Sequence, residues 1–187
     1  IPARSTAYTG MDVLTHAIEA YTSVMASDYT DGLALKAIEL VFTYLPRCVH
    51  NGKNDLKARE KMHNAATIAG MAFANAFLGI VHSMAHKIGA EYHTIHGQTC
   101  AILLPHVIKY NGTQPTKLSV WPKYEEYNCD KRYLDICRVL NLPAKTPEEA
   151  TQALSDAVMN LGKEIGIDMN FASLIPDEEY YMSHPVS

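Results

Sequence analysis

The four cysteines of this chain stand at 48, 100, 129 and 137, and no two form a C-x-x-C pair. That spacing excludes a structural zinc knot and a redox dithiol, and isolated thiols suit a reducing cytoplasm. No run of Lys and Arg is longer than Lys131-Arg132, and the formal net charge is −4. The sequence therefore gives no electrostatic reason to expect nucleic acid or an anionic membrane as partner. No apolar stretch approaches the ~20 residues that cross a bilayer, and no basic-then-apolar segment opens the chain. There is no G-x-G-x-x-G after a strand and no P-loop, so nothing here would bind a nucleotide unaided. No period of 20–50 residues recurs and no tract is of low complexity.

What is present is a globular composition, with 48% hydrophobic and 19% charged residues among 187. That is enough chain for one sizeable core or two small ones. Residues 1–10 read as a lead-in loop, and a chain beginning Ile1-Pro2 is expected to be part of something larger. Thr9 to Asp12 has the pattern of a helix start, and Met11, Leu14, Ala17, Ile18 and Tyr21 share one face of a helix over about 11–25. A second helix is expected over about 30–46, burying Ala34, Ala37, Ile38, Val41 and Leu45 and stopped by Pro46. His50 to Asp55 reads as a turn.

From Leu56 a long Ala- and Gly-rich helix is expected at the centre of the bundle, with Met62, Ala66, Ile68, Ala69, Phe73, Ala76 and Ile80 at helical spacing. Gly79 breaks it, a short helix carries His82 and His86, and 89–97 form a connector. Further helices are expected over about 98–110, kinked at Pro105, and over 131–140. A last one starts at the Thr146-Pro147-Glu148-Glu149 signal and ends at Gly166. Residues 111–129 read as a long loop anchored by Trp121 and Tyr124, and the acidic tail with Tyr180-Tyr181 has no clear pattern. The fold class this implies is all-α, a helical bundle over 1–187 with 167–187 as a tail.

The chemistry concentrates in GIVHSMAHKIGAEYHTIHG, which places His82, His86, His93 and His96 within a short span of a chain that has nine histidines. A second polar pair, Asp12 and His16, lies in GMDVLTHAIEAY. Residues i and i+4 of a helix lie one above the other, ~6 Å apart. Asp12 with His16, and His82 with His86, can therefore each aim at one ion. A carboxylate with two or three neutral imidazoles suits Zn²⁺ or Fe²⁺ better than Ca²⁺ or Mg²⁺.

Taken singly, Asp12 reads as a helix-start acid favoured by the dipole and His16 as a half-buried core histidine. His93 reads as peripheral, and His50, His63, His106 and His184 as incidental. Joint occurrence favours a metal site. Spacing alone prefers His82 with His86 and leaves His96 as a loop residue able to swing in.

These segments, together with HNAATIAGMAFANAFLGIVHSMAHKIGAEYHTIHG and AILLPHVIKYN, resemble the iron-containing (group III) alcohol dehydrogenase family. ASDYTDGLALKAIELVFTYLPR and WPKYEEYNCDKRYLDICRVLNLP look like the alcohol dehydrogenase part of bifunctional aldehyde–alcohol dehydrogenases. The resemblance covers about residues 1–165 and matches the second, all-helical metal domain of a two-domain enzyme. This chain resembles only that second domain, and the dinucleotide-binding α/β domain that precedes it in relatives is expected to be missing.

The resemblance implies that Asp12, His16, His82 and His96 hold the metal, Fe²⁺ or alternatively Zn²⁺. It also implies that His86 stays free near the nicotinamide of NAD(H), as catalytic and cofactor-binding residue, and that Phe73 lines the substrate pocket. Expected partners are a small alcohol or aldehyde and further copies of the chain in an oligomer or filament. Thr94-Ile95 replaces the Ile-Pro usual before the last histidine, and Gln98-Thr99-Cys100 stand where relatives carry small and amide residues. Without its cofactor domain the fragment is expected to be inactive. Two other readings remain open at this point: a metal-dependent hydrolase on helices, and a non-catalytic assembly module with a structural ion.

Overall fold

A computed structural model describes residues 1–115 and 127–174. Among these the chain forms seven α-helices, one short 3₁₀ turn (Phe171–Leu174) and no strand. They are α1 (Ala3–Thr22), α2 (Asp28–Asn51), α3 (Leu56–Ala76), α4 (Ile80–Tyr92), α5 (His96–Asn111), α6 (Cys129–Val139) and α7 (Pro147–Glu164). The expected all-α bundle is thus observed. Trp121, Tyr124 and the Tyr180-Tyr181 pair lie outside the described residues.

The centre of the bundle is α1, not α3, because α1 packs against α2, α3 and α5 while α3 meets only α1 and α2 closely. Two glycines permit these approaches. A Cβ on Gly10 would stand 2.2 Å from a Leu45 methyl of α2, and one on Gly97 would stand 2.3 Å from the Tyr8 carbonyl oxygen of α1. The first neighbour is a flexible side chain and the second is backbone, so only Gly97 is fixed by its surroundings.

Several boundaries differ from the sequence reading. Residues 3–10 are not a lead-in loop but the first turns of α1, and Thr9 donates its hydroxyl back to the Ser5 carbonyl at 2.9 Å instead of capping. Pro46 does not stop α2. The helix runs past it because Leu45 and Cys48 are both buried, and packing outweighs the lost backbone bond.

On α3 the buried row is Ala58, Ala65, Ala69, Ala72 and Ala76, whereas Ala66 is exposed, Met62, Ile68 and Phe73 are half-buried, and Ile80 lies beyond its end. The larger apolar residues flank an alanine seam that lets α1 come close. The connector after α4 is three residues long rather than the nine of 89–97, because His93 reverses the chain in the left-handed region (φ 52°).

The other starts follow local chemistry. Ser27 and Thr30 form a reciprocal capping box at α2, and Asp55 accepts the Ala58 N–H at α3. Thr146 caps α7 with Pro147 in the first turn, while Glu149 reaches back one residue further, to the Lys145 N–H at 2.7 Å. Arg132 of α6 pairs with Asp31 of α2 and lies over the Tyr21 ring, its guanidinium 4.0 Å from the centroid. No single described helix is long and apolar enough to cross a membrane; α3 and α4 meet that requirement only as a pair, with a 102° bend between them.

Candidate metal centre

Asp12 and His16 project from α1, His82 from the first turn of α4 and His96 from the first residue of α5, so three helices meet at one point. Asp12 Oδ1 lies 3.4 Å from His82 Nε2, 3.4 Å from His96 Nε2 and 4.0 Å from His16 Nε2. The imidazole of His16 stacks between that of His82, at 4.4 Å between centroids, and the ring of Phe73, at 4.5 Å. The i,i+4 partner His86 is exposed and stacks instead on His96, at 5.2 Å. The structure therefore brings together Asp12, His16, His82 and His96, and leaves His86 beside them. His93 is exposed just past the end of α4.

Two buried atoms at the centre lack hydrogen-bond partners, Asp12 Oδ1 and His82 Nε2. Buried polar atoms are rarely left so, since an unmade bond costs about 1–3 kcal/mol. Here the two face each other among further nitrogen donors, which is what a set of ligand atoms looks like without its ion. The arrangement fits a divalent cation of the Fe²⁺ or Zn²⁺ kind. Asp12, His82, His96 and Cys100 each offer one donor atom, all within 4.8 Å of one another.

Electrostatics agree with the geometry. Burial alone would raise the Asp12 carboxyl, but the imidazoles of His82, His16 and His96 outweigh it and hold the group below its ordinary value. Burial lowers His16 and His96 despite the Asp12 charge. Burial also opposes protonation of His82, yet Asp12 and Glu19 on either side bring it up to about 9. A cation is favoured at this point, whether a proton or a metal.

Glu19 is the residue the sequence reading missed. It is 5% exposed. It accepts from His82 Nδ1 at 2.6 Å and from the Val81 N–H at 2.7 Å. Those bonds fix the His82 tautomer with Nε2 pointing at Asp12, and they anchor the start of α4 to α1. The available signal was an acid three residues after His16, on a helix face otherwise lined by Leu14, Ala17, Ile18 and Tyr21.

The comparisons with known proteins agree with this geometry. The sequence profile of the Fe-containing alcohol dehydrogenase family, C-terminal, matches residues 6–183. The chain is 62% identical over 184 residues to an aldehyde-alcohol dehydrogenase of Streptococcus pneumoniae, covering 98% of this chain and 21% of that protein. It is 54% identical over 183 residues to aldehyde-alcohol dehydrogenase 2 of Entamoeba histolytica, again 98% of this chain and 21% of the relative. The chain thus spans about a fifth of these relatives' length.

Among solved structures, an alcohol dehydrogenase from Oenococcus oeni superposes with a TM-score of 0.82 at 32% identity, over 100% of this chain and 47% of that one. Sulfoacetaldehyde reductase from Bifidobacterium kashiwanohense, solved with NAD+, superposes at 0.78 and 28% identity, over 100% and 46%. From its sequence, its helical architecture and its matches, this chain belongs to the iron-containing alcohol dehydrogenase family and corresponds to the C-terminal part of such an enzyme.

Proposed function

We propose that the chain is the metal-holding half of an NAD(H)-dependent dehydrogenase that interconverts a short alcohol and its aldehyde. Asp12, His16, His82 and His96 are its proposed ligands for Fe²⁺, with Zn²⁺ accepted by the same donors. The observation that carries this reading is the meeting of Asp12 Oδ1 with His82 Nε2 and His96 Nε2 at 3.4 Å, two of the three being buried atoms without hydrogen bonds. The bound ion supplies Lewis acidity toward the substrate oxygen, and NAD(H) supplies the hydride chemistry.

This chain's residues do the rest. Asp12 contributes the negative charge that draws a cation into a ring of neutral imidazoles. Glu19 holds the Nδ1 proton of His82, which keeps the Nε2 lone pair aimed inward. Phe73 closes one side with an apolar ring against His16 and keeps water from it. His86, exposed and stacked on His96, has ring nitrogens free to carry a proton between the site and solvent as alcohol is oxidised.

Phe77, Ile80, Met84 and Ile95 are exposed on the segments that carry His82 and His96. We assign this face to the dinucleotide-binding part of the longer protein, which would bring the nicotinamide to His86. Four free thiols support a reducing cytoplasmic setting.

The test is His96→Ala with iron and zinc counted by elemental analysis. Loss of stoichiometric metal from a folded variant is expected. Wild-type metal content would overturn the ligand assignment.

A further inference from the structure

Apart from the candidate metal centre, the first turns of α1, the last turn of α2 and the first half of α3 enclose a cavity of about 390 Å³. That volume lies in the ~300–1,000 Å³ range of small-molecule pockets. Gly10, Val13, Met62 and Ala66 give it an apolar wall, and Arg59 and His63 join the lining one helical turn apart on α3. Arg59 is half-buried, and no carboxylate among the described residues pairs with it. Its side chain makes one long hydrogen bond, from Nη1 to the Thr6 hydroxyl at 3.4 Å. Asp55, the acid one turn earlier, is already engaged by Arg47 at 2.8 Å and by the Ala58 N–H at 2.9 Å. A guanidinium carries five N–H donors, and one withdrawn from water is ordinarily paired. The ring of His63, which read as incidental in sequence, has no hydrogen-bond or ion-pair partner among the described residues. The two threonine hydroxyls of the lining are committed as donors, Thr6 to the Pro2 carbonyl at 3.1 Å and Thr9 to the Ser5 carbonyl at 2.9 Å. Cys48 stays a neutral thiol there, because burial raises it. No carboxylate lines the cavity. A cation would find no opposing charge in it, whereas an anion would meet a fork of free N–H groups.

We propose that this cavity binds a small aliphatic carboxylate, its oxygens held by the Arg59 guanidinium with His63 beside it and its carbon chain laid on Val13, Met62 and Ala66. A bare inorganic anion would use the same donors but leave the apolar wall without a role. The site does not depend on the metal-centre reading. Because α1, α2 and α3 all contribute to its walls, an occupant bridges three helices and stabilises the folded chain by mass action.

The test is calorimetric titration of the chain with acetate, butyrate and inorganic phosphate, repeated on Arg59→Gln, Ala66→Leu and His96→Ala. Saturable binding of one butyrate per chain is expected, with affinity rising about two- to fourfold for each methylene added to acetate. Arg59→Gln should weaken butyrate by roughly 10–150-fold, the loss of hydrogen bonds from a charged donor. Ala66→Leu fills the rim from an exposed position and should weaken it with Arg59 in place, so the result does not hang on the folding of one variant. His96→Ala should leave butyrate binding unchanged. Binding that survives Arg59→Gln and is lost in His96→Ala would put the carboxylate at the metal centre and overturn the proposal. Phosphate bound more tightly than butyrate would overturn the aliphatic class of ligand. No saturable binding of any probe would overturn the site.

Discussion

The carboxylate of Glu19 and the imidazole of His82 are joined by a 2.6 Å hydrogen bond, although sixty-three positions separate them in the chain and both are buried. The bond sits behind the candidate metal centre, on the side of His82 away from Asp12. Glu19→Gln keeps the shape of the side chain but removes its charge and lets an amide compete for the tautomer. Partners of this kind typically contribute 10–100-fold to metal affinity, so a loss of roughly that size is expected in zinc or iron competition titrations. An unchanged affinity would show that His82 is oriented by packing alone.

His86→Ala separates proton handling from metal binding. Metal content should match wild type, because His86 stacks on His96 without joining the central cluster. Turnover of the longer enzyme that contains this region should fall by roughly 10²–10⁴-fold, the usual contribution of a positioned acid–base group. Loss of the ion in this variant would instead make His86 a ligand, as its i,i+4 spacing from His82 suggests.

Two glycines make opposite predictions. Gly97→Ala forces a methyl into the Tyr8 backbone oxygen where α1 and α5 touch, and backbone cannot swing aside. A loss of about 1–3 kcal/mol is expected in urea unfolding. Gly70→Ala, inside α3 with nothing near the new methyl, should gain about 0.5–1 kcal/mol from helix propensity. Equal effects from both would mean that the α1–α5 contact is looser than described.

Acid sensitivity has a local source at the start of α3. The Ala58 N–H, then Arg47, hold the Asp55 carboxyl below its usual 3.8. A depressed folded-state value means stabilisation that is complete above about pH 4 and is lost as pH falls through the folded value. Asp55→Asn keeps a cap but removes this titration, so its stability should change less with pH below 4 than wild type does. Parallel acid-unfolding curves for the two proteins would contradict this.

How far the sequence could be read depended on the scale of the interaction. Each helix except the start of α1 was visible in apolar periodicity or in a cap, as at Thr146-Pro147. Asp12, His16, His82 and His96 stood out because imidazoles are costly to place among Ile, Val and Ala without a purpose. Which face of α3 makes the close approach was not visible: nothing local shows that Ala65 and Ala72, rather than Met62 and Ile68, face the core, because that depends on how near α1 comes. Pro46 misled for the same reason, since Leu45 and Cys48 carry the helix past it through contacts distant in sequence. Glu19 was legible only as a single residue. Its role depends on which helix end lies opposite.

The donors of the candidate centre come from the beginning and the middle of the chain, on α1, α4 and α5. An ion there would act as a buckle between distant parts of the polypeptide, helping to close a long loop of the unfolded chain. Its removal should loosen α4 and α5 from α1 before the rest of the bundle gives way. Metal supply would then govern how long the protein lasts.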